Sequence, residues 1–192
     1  MIKANIADRC LIAGILADAF ESNQSVNYII PPDKKRLKRI RALMEYSFDV
    51  CYYFGQVWLS EDKKACALIL FPQLKRFALV SVWLDIKLIF KTIGLSRLRS
   101  ALRREALIKQ VQSKDHMVYL WFIGVSPEYQ HTGIGSKLLN EIINEANSKT
   151  LPVCLETSTL QNLPWYEHFG FKVYNQLDLG YTLFFLKREP NN

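Results

Sequence analysis

The sequence predicts a mixed α/β or α+β fold, one sheet flanked by helices, and three observations carry that prediction. Helical and strand-like patterns follow one another as helices, a hairpin, a helical region, then strand–helix–strand–helix–strand–strand. The 192 residues, 49% apolar and 22% charged, suit a single domain over 1–192 that buries a real core, and they are too apolar for wholesale disorder. A β-rich run from Tyr119 to Val125 passes through a polar, glycine-bearing loop directly into an amphipathic helical pattern.

Each element has its own signal. Ile6 to Ser22 places Ile12, Ile15, Leu16, Ala19 and Phe20 at helical spacing, with Asp8 positioned as N-cap. Asp33, after Pro31-Pro32, opens a second helix to about Tyr53, with Leu37, Ile40, Leu43, Met44 and Phe48 on one face. Gln56 to Leu59 and Ala65 to Phe71 are strands of a hairpin joined by the charged turn Ser60 to Lys64, and Pro72 ends it. A long helical region, broken near Gly94, spans Gln73 to Gln112. Met117 to Val125 is a strand, and Gly133 to Asn147 a helix with Leu138, Leu139, Ile142, Ile143 and Ala146 inward. Val153 to Thr157 is a strand. Asn162 to Phe169 is a short helix stopped by Gly170, and Phe171 to Gln176 with Tyr181 to Leu186 form a closing antiparallel pair.

Composition narrows the function classes. Cys10, Cys51, Cys66 and Cys154 lack CxxC spacing and sit in apolar surroundings, so buried reduced thiols of a cytoplasmic protein are expected, with no metal site. No apolar run follows a basic region at the N-terminus, so no secretory leader is expected. Phe77 to Ile93, interrupted by Asp85, Lys87 and Lys91, is too short for a membrane span and is expected as a buried or half-buried helix. The net charge of +7 is uneven: residues 1–115 hold 20 Lys/Arg against 11 Asp/Glu, and residues 116–192 hold 5 against 7. The basic clusters Lys34 to Arg41 and Arg97 to Arg104 lack interleaved stacking aromatics, so solvated helix faces are expected rather than nucleic-acid binding.

The loop Gln130-x-x-Gly133-x-Gly135 is the most informative segment. Lying between strand and helix, it leaves backbone N–H groups unpaired at the positive end of a helix dipole, which makes an anion site suited to a pyrophosphate. Walker-type nucleotide binding is excluded, because no Gly-Lys-Ser/Thr closes the loop. The dinucleotide fingerprint lacks its third glycine.

The full pattern, Val125-x-Pro127-x-x-Gln130-x-x-Gly133-x-Gly135 followed by Leu138-Leu139, resembles the acetyl-CoA loop of the GCN5-related N-acetyltransferases. Leu155-Glu156-Thr157-Ser158 and Asn162-Leu163-Pro164-Trp165-Tyr166-Glu167-His168-Phe169-Gly170-Phe171 are similar to the second half of that fold, in the branch containing puromycin N-acetyltransferase. The likeness is good over about 116–175 and weak before it, with 73–112 longer than the common fold needs. The resemblance implies a mixed, mostly antiparallel central sheet and a cleft for acetyl-CoA between the strand ending at Val125 and the strand Val153–Thr157. It places an acetyl-CoA-binding core at 116–192 and an acceptor-side half at 1–115.

By the same resemblance, backbone groups of Ile123 and Val125 pair with the pantetheine arm. A β-bulge in that strand aims an N–H at the thioester oxygen. The loop after Gln130 presents the amides of His131, Thr132, Gly133, Ile134, Gly135 and Ser136 to the pyrophosphate, and Asn162 bonds the pantetheine arm or caps its helix. His131 stands where the family often has Gly or Arg. Tyr166 matches the tyrosine that protonates the departing thiolate, with a core tyrosine as the alternative. Glu156, a carboxylate in an otherwise apolar strand bordering the cleft, is the candidate general base for the acceptor amine, or else it orients substrate or loop backbone. His116 and Glu128 are weaker candidates. His168 suits a helix cap. Cys154 shares a face with Glu156, which raises rather than lowers a thiol pKa, so direct transfer is expected. The expected activity is acetyl transfer to a primary amine of a small molecule or peptide by a monomer or homodimer. The aromatics Phe20, Tyr28, Tyr46, Phe48, Tyr52, Tyr53 and Trp83 suggest a partly apolar acceptor pocket or simply core. A non-catalytic acyl-CoA-binding regulatory module is the alternative.

Overall fold

The computed structural model describes residues 1–74 and 88–191. Strand β1 (Ile2–Lys3) leads through a 3-10 turn (Ile6–Asp8) into α1 (Arg9–Ala19). Next come α2 (Gln24–Ile29), α3 (Arg36–Phe54) and the hairpin β2 (Gly55–Leu59) and β3 (Ala65–Leu70). Beyond the undescribed stretch, a π-helical turn (Ile89–Ile93) precedes α4 (Leu95–Val111). The second half is β4 (Val118–Val125), α5 (Ile134–Ser148), β5 (Val153–Thr157), α6 (Leu163–His168), β6 (Lys172–Asp178) and β7 (Thr182–Arg188).

The strands form one mixed sheet in the order β1-β2-β3-β4-β5-β7-β6. Every neighbouring pair is antiparallel except β4 and β5, which run parallel. Successive side chains of a strand point to opposite faces, so the sheet has two coats. On one face Ile12, Leu16, Met44 and Phe48 of α1 and α3 pack against Leu59 and Leu68. Farther along that face, Ile108 of α4 packs on Leu183 and Phe185. On the other face Leu138, Leu139, Ile142 and Ile143 of α5, with Tyr166 of α6, cover Leu120, Val153, Leu155 and Leu186. The inward residues expected for the helix after the glycine loop are all buried.

Several local expectations change. The N-cap expected at Asp8 shifts to Asn5, because a 3-10 turn precedes α1. The Asn5 side chain accepts from the Ala7 N–H at 2.8 Å, and the Asp8 carboxylate accepts from the Asn5 N–H at 3.0 Å. Asp33 does not begin α3 directly; its carboxylate accepts from the Lys35 N–H at 2.8 Å in the turn leading to Arg36. Strand β1 and helix α2, two and six residues long, are too short to leave a periodic signal. The helix expected over Phe77 to Ile93 lies mostly outside the described residues, as does Trp83. Cys51, Cys66 and Cys154 are buried free thiols, but Cys10 is exposed on α1. No helix among the described residues is long and apolar enough to cross a membrane, and among them no group of His, Cys, Asp and Glu could hold a metal ion.

Candidate active site

β4 and β5 pair at only two rungs, Val118 with Val153 and Tyr119 with Cys154. β4 then runs on to Val125 and β5 to Thr157 without pairing to each other, so the sheet opens into a gap. On its far side β4 stays joined to β3, with Ile123 opposite Ala67 and Val125 opposite Ala65. Leu68 faces Phe122 and Ile69 faces Leu120, which leaves Trp121 as the extra residue of a β-bulge in β4. That bulge, expected by resemblance, lies just past the last rung shared with β5.

The mouth of the gap is the loop to α5. A 3-10 turn (Pro127–Tyr129) leads to Gln130, whose side-chain amide donates to the Val125 carbonyl at 3.3 Å. The Thr132 hydroxyl donates to the Tyr129 carbonyl at 2.6 Å. His131 (φ 63°) and Gly133 (φ 87°) both adopt left-handed backbone, which turns the chain sharply into the helix. A glycine would adopt the His131 conformation without strain. Gly133 has that freedom, whereas Gly135 is needed for space: a Cβ there would sit 3.1 Å from Val125 Cγ2. Among the described residues, no acceptor meets the N–H groups of His131, Thr132, Gly133, Ile134, Gly135 or Ser136; the first bond is Lys137 N–H to the Gly133 carbonyl at 2.9 Å. Consecutive unpaired amides at the positive end of a fifteen-residue helix form an anion cradle. The Ser136 hydroxyl accepts from the Trp165 indole at 3.0 Å, tying α6 to this loop.

Two ionisable residues flank the gap from opposite faces. Glu156 shares a face with its rung partner Phe185, below α4. Its Oε2 accepts from the Tyr119 hydroxyl at 2.7 Å and its Oε1 from the Gln112 side-chain amide at 3.1 Å. Burial raises its pKa above the ordinary carboxylate value, against the lowering effect of those two donors and of Arg104. Tyr166 lies on the other face, buried with Leu155, its ring 4.8 Å from Trp165 and 5.7 Å from Phe171. Among the described residues nothing hydrogen-bonds its hydroxyl. Burial pushes that phenol well up, so it is protonated at neutral pH.

The remaining candidates separate from this pair. Asn162 is exposed in helical backbone and makes no side-chain cap bond, which removes the capping reading. His116, Glu128 and His168 are exposed, and His168 makes no capping bond. Cys154 shares the Glu156 face as expected, and burial pushes its thiol up to about 12, unfit for a nucleophile near neutrality. Of the aromatics in the first half, Phe48 is core, stacked on exposed Tyr52; Phe20 packs on Phe122, Tyr46 on Trp121 and Tyr28 on Tyr181. Tyr119 and Gln112 were not legible as site residues, because the β4–β5 register brings Tyr119 to Glu156 and the packing of α4 on β7 brings Gln112.

An open α/β sheet split between two parallel strands, with unpaired amides at its mouth, has the shape and the donors to take an extended, anion-bearing ligand in the split. Comparison with known proteins shows what this arrangement is similar to. Residues 94–173 match the acetyltransferase (GNAT) domain family. An N-acetyltransferase of Schizosaccharomyces pombe, described as uncharacterized, is 48% identical over 62 residues, 32% of this chain and 25% of that protein. The matched stretch thus spans only a quarter of that relative. Among solved structures, "histone acetyltransferase HPA2 and related acetyltransferase" from Corynebacterium glutamicum covers 100% of this chain and 96% of its own with a TM-score of 0.73 at 20% identity. The C-terminal condensation domain of Ebony, in complex with beta-alanyl-dopamine, aligns with a TM-score of 0.67 at 8% identity, covering 98% of this chain and 97% of that one. At these identities both likenesses show the fold.

Proposed function

We propose that this chain is an acetyl-CoA-dependent N-acetyltransferase that transfers the acetyl group directly to a primary amine of a small molecule or peptide. The observation that carries the reading is the run of unpaired amides from His131 to Ser136, set at the mouth of the gap between β4 and β5. The residues present fit acetyl-CoA: the amides suit its pyrophosphate, and the gap exposes one backbone edge of Ile123 and Val125 to its pantetheine arm. When bound, acetyl-CoA supplies an activated acyl thioester. Glu156 then takes the proton of the acceptor amine, which arrives as an ammonium, and the raised pKa fits that task. Tyr166, protonated and without a partner, donates to the leaving sulfur. The exposed Asn162 hydrogen-bonds the pantetheine arm. Direct transfer agrees with the unreactive Cys154.

The deciding experiment is a thiol-release assay with acetyl-CoA over aminoglycosides, polyamines, amino acids, aminonucleosides and lysine peptides. At least one amine is expected to release CoA thiol with saturation. Calorimetric CoA binding with no release across the panel would favour a non-catalytic acyl-CoA-binding module instead. The cradle makes its own prediction: Gly135→Val drives a branched side chain into Val125 and lifts the α5 terminus. CoA binding by calorimetry should weaken about tenfold or more, the equivalent of ~1.4 kcal/mol. Unchanged affinity would remove the loop from the donor site.

A further inference from the structure

Both oxygens of the Glu156 carboxylate are held, and the two donors come from different elements. Tyr119 belongs to β4 and Gln112 follows the last turn of α4. Tyr119 is also half of the last rung between β4 and β5, opposite Cys154. The Tyr119–Glu156 bond is therefore the first link past the point where backbone pairing stops. It ties the two strands together at the root of the gap.

We infer that Tyr119 and Gln112 are positioning residues that fix the Glu156 carboxylate at the root of the gap in its ionised, proton-accepting form. This rests on the reading of Glu156 as general base. An unheld glutamate has several rotamers, whereas two donors on opposite oxygens select one of them and leave the second lone pair of each oxygen free. A carboxylate that accepts two hydrogen bonds is also favoured over its neutral form, which offsets part of the desolvation that burial imposes. The charged and titratable groups facing Glu156 are Arg104 and Glu105 from α4, Tyr119 from β4, Cys154 from its own strand and Tyr174 from β6, with the neutral amide of Gln112 just past α4. Arg104 itself is held away by the Ser25 and Tyr181 hydroxyls, so it acts on Glu156 only at longer range. The neutral donors Tyr119 and Gln112 are the groups in contact.

The test is a pH titration of the side-chain carboxyl resonances in protein labelled with carbon-13 glutamate, the Glu156 signal being assigned by its loss in Glu156→Gln. Tyr119→Phe should move the Glu156 midpoint to higher pH, with proton binding roughly threefold tighter or more, since a donor to the charged form has gone. Gln112→Met should move it in the same direction by less, its bond being the longer; it carries the test if Tyr119→Phe does not fold. An unchanged midpoint in whichever variants fold would overturn the inference. The activity of Glu156→Gln separates the two readings. If that variant is inactive while the midpoint ignores Tyr119, the base stands and the positioning role falls. If the midpoint moves but Glu156→Gln keeps full kcat, the base reading falls and the positioning role goes with it.

Discussion

Glu156→Gln should lower kcat/KM for the amine acceptor by roughly 10²- to 10⁴-fold, the range a positioned general base supplies. The pH profile is the sharper readout. A base works only when deprotonated, so the wild-type rate should climb with pH through the Glu156 pKa, which burial places above the ordinary carboxylate value. In the glutamine variant that limb should vanish and leave only the ionisation of the amine. A loss of fold is not the expected cause of the lost rate, because the sign of the stability effect runs the other way. A carboxyl whose pKa is raised on folding binds its proton more tightly in the folded chain, so its contribution to stability is greatest at low pH. That contribution declines as pH rises through the window between the unfolded and folded values. Near neutrality the carboxylate is a net cost of burial, and the neutral amide keeps an acceptor for the Tyr119 hydroxyl. Chemical denaturation at pH 7 is thus expected to show Glu156→Gln no less stable than wild type by more than about 1 kcal/mol. A variant with an intact pH limb would remove Glu156 from the chemistry.

The two halves of the site differ in how much of them could be read from residues alone. The anion cradle was legible because its determinants are local: a strand pattern, Gly133 and Gly135, and a helical period all lie within about twenty positions. The face of Glu156 was also legible, since alternation along one strand puts it with Cys154. The partners of Glu156 were not, because Tyr119 lies 37 residues away and Gln112 lies 44 away. A register between two parallel strands depends on how the intervening α5 packs, and no short-range pattern encodes it. The capping readings at Asp8 and Asn162 failed for a related reason. An N-cap signature specifies a residue type but not whether a 3-10 turn precedes the helix, and such a turn lies before both α1 and α6. Exposure of Cys10 follows from its place on the outer side of α1, next to buried Ile12 and Ala13.

Tyr166→Phe is the variant in which structure and chemistry should part most cleanly. The ring keeps its neighbours Trp165 and Phe171, and the atom removed has no hydrogen-bond partner among the described residues. Removing a hydroxyl that has no protein partner and is not among the buried unsatisfied atoms should leave the thermal midpoint nearly unchanged. A tyrosine kept only for packing would therefore be replaced by phenylalanine at no loss. The hydroxyl has a use if its proton is spent: the phenol, pushed up by burial, is a proton donor at neutral pH. Donation to a departing thiolate is an interaction made as charge develops, so its loss should appear in kcat and leave the KM for acetyl-CoA nearly unchanged. A fall in kcat of roughly 10²-fold or more is expected from the ordinary worth of general acid catalysis. The measurement is steady-state thiol release paired with a thermal scan of the same preparation. Full kcat in a stable Tyr166→Phe would make the tyrosine a core residue, and protonation of the sulfur would then fall to solvent.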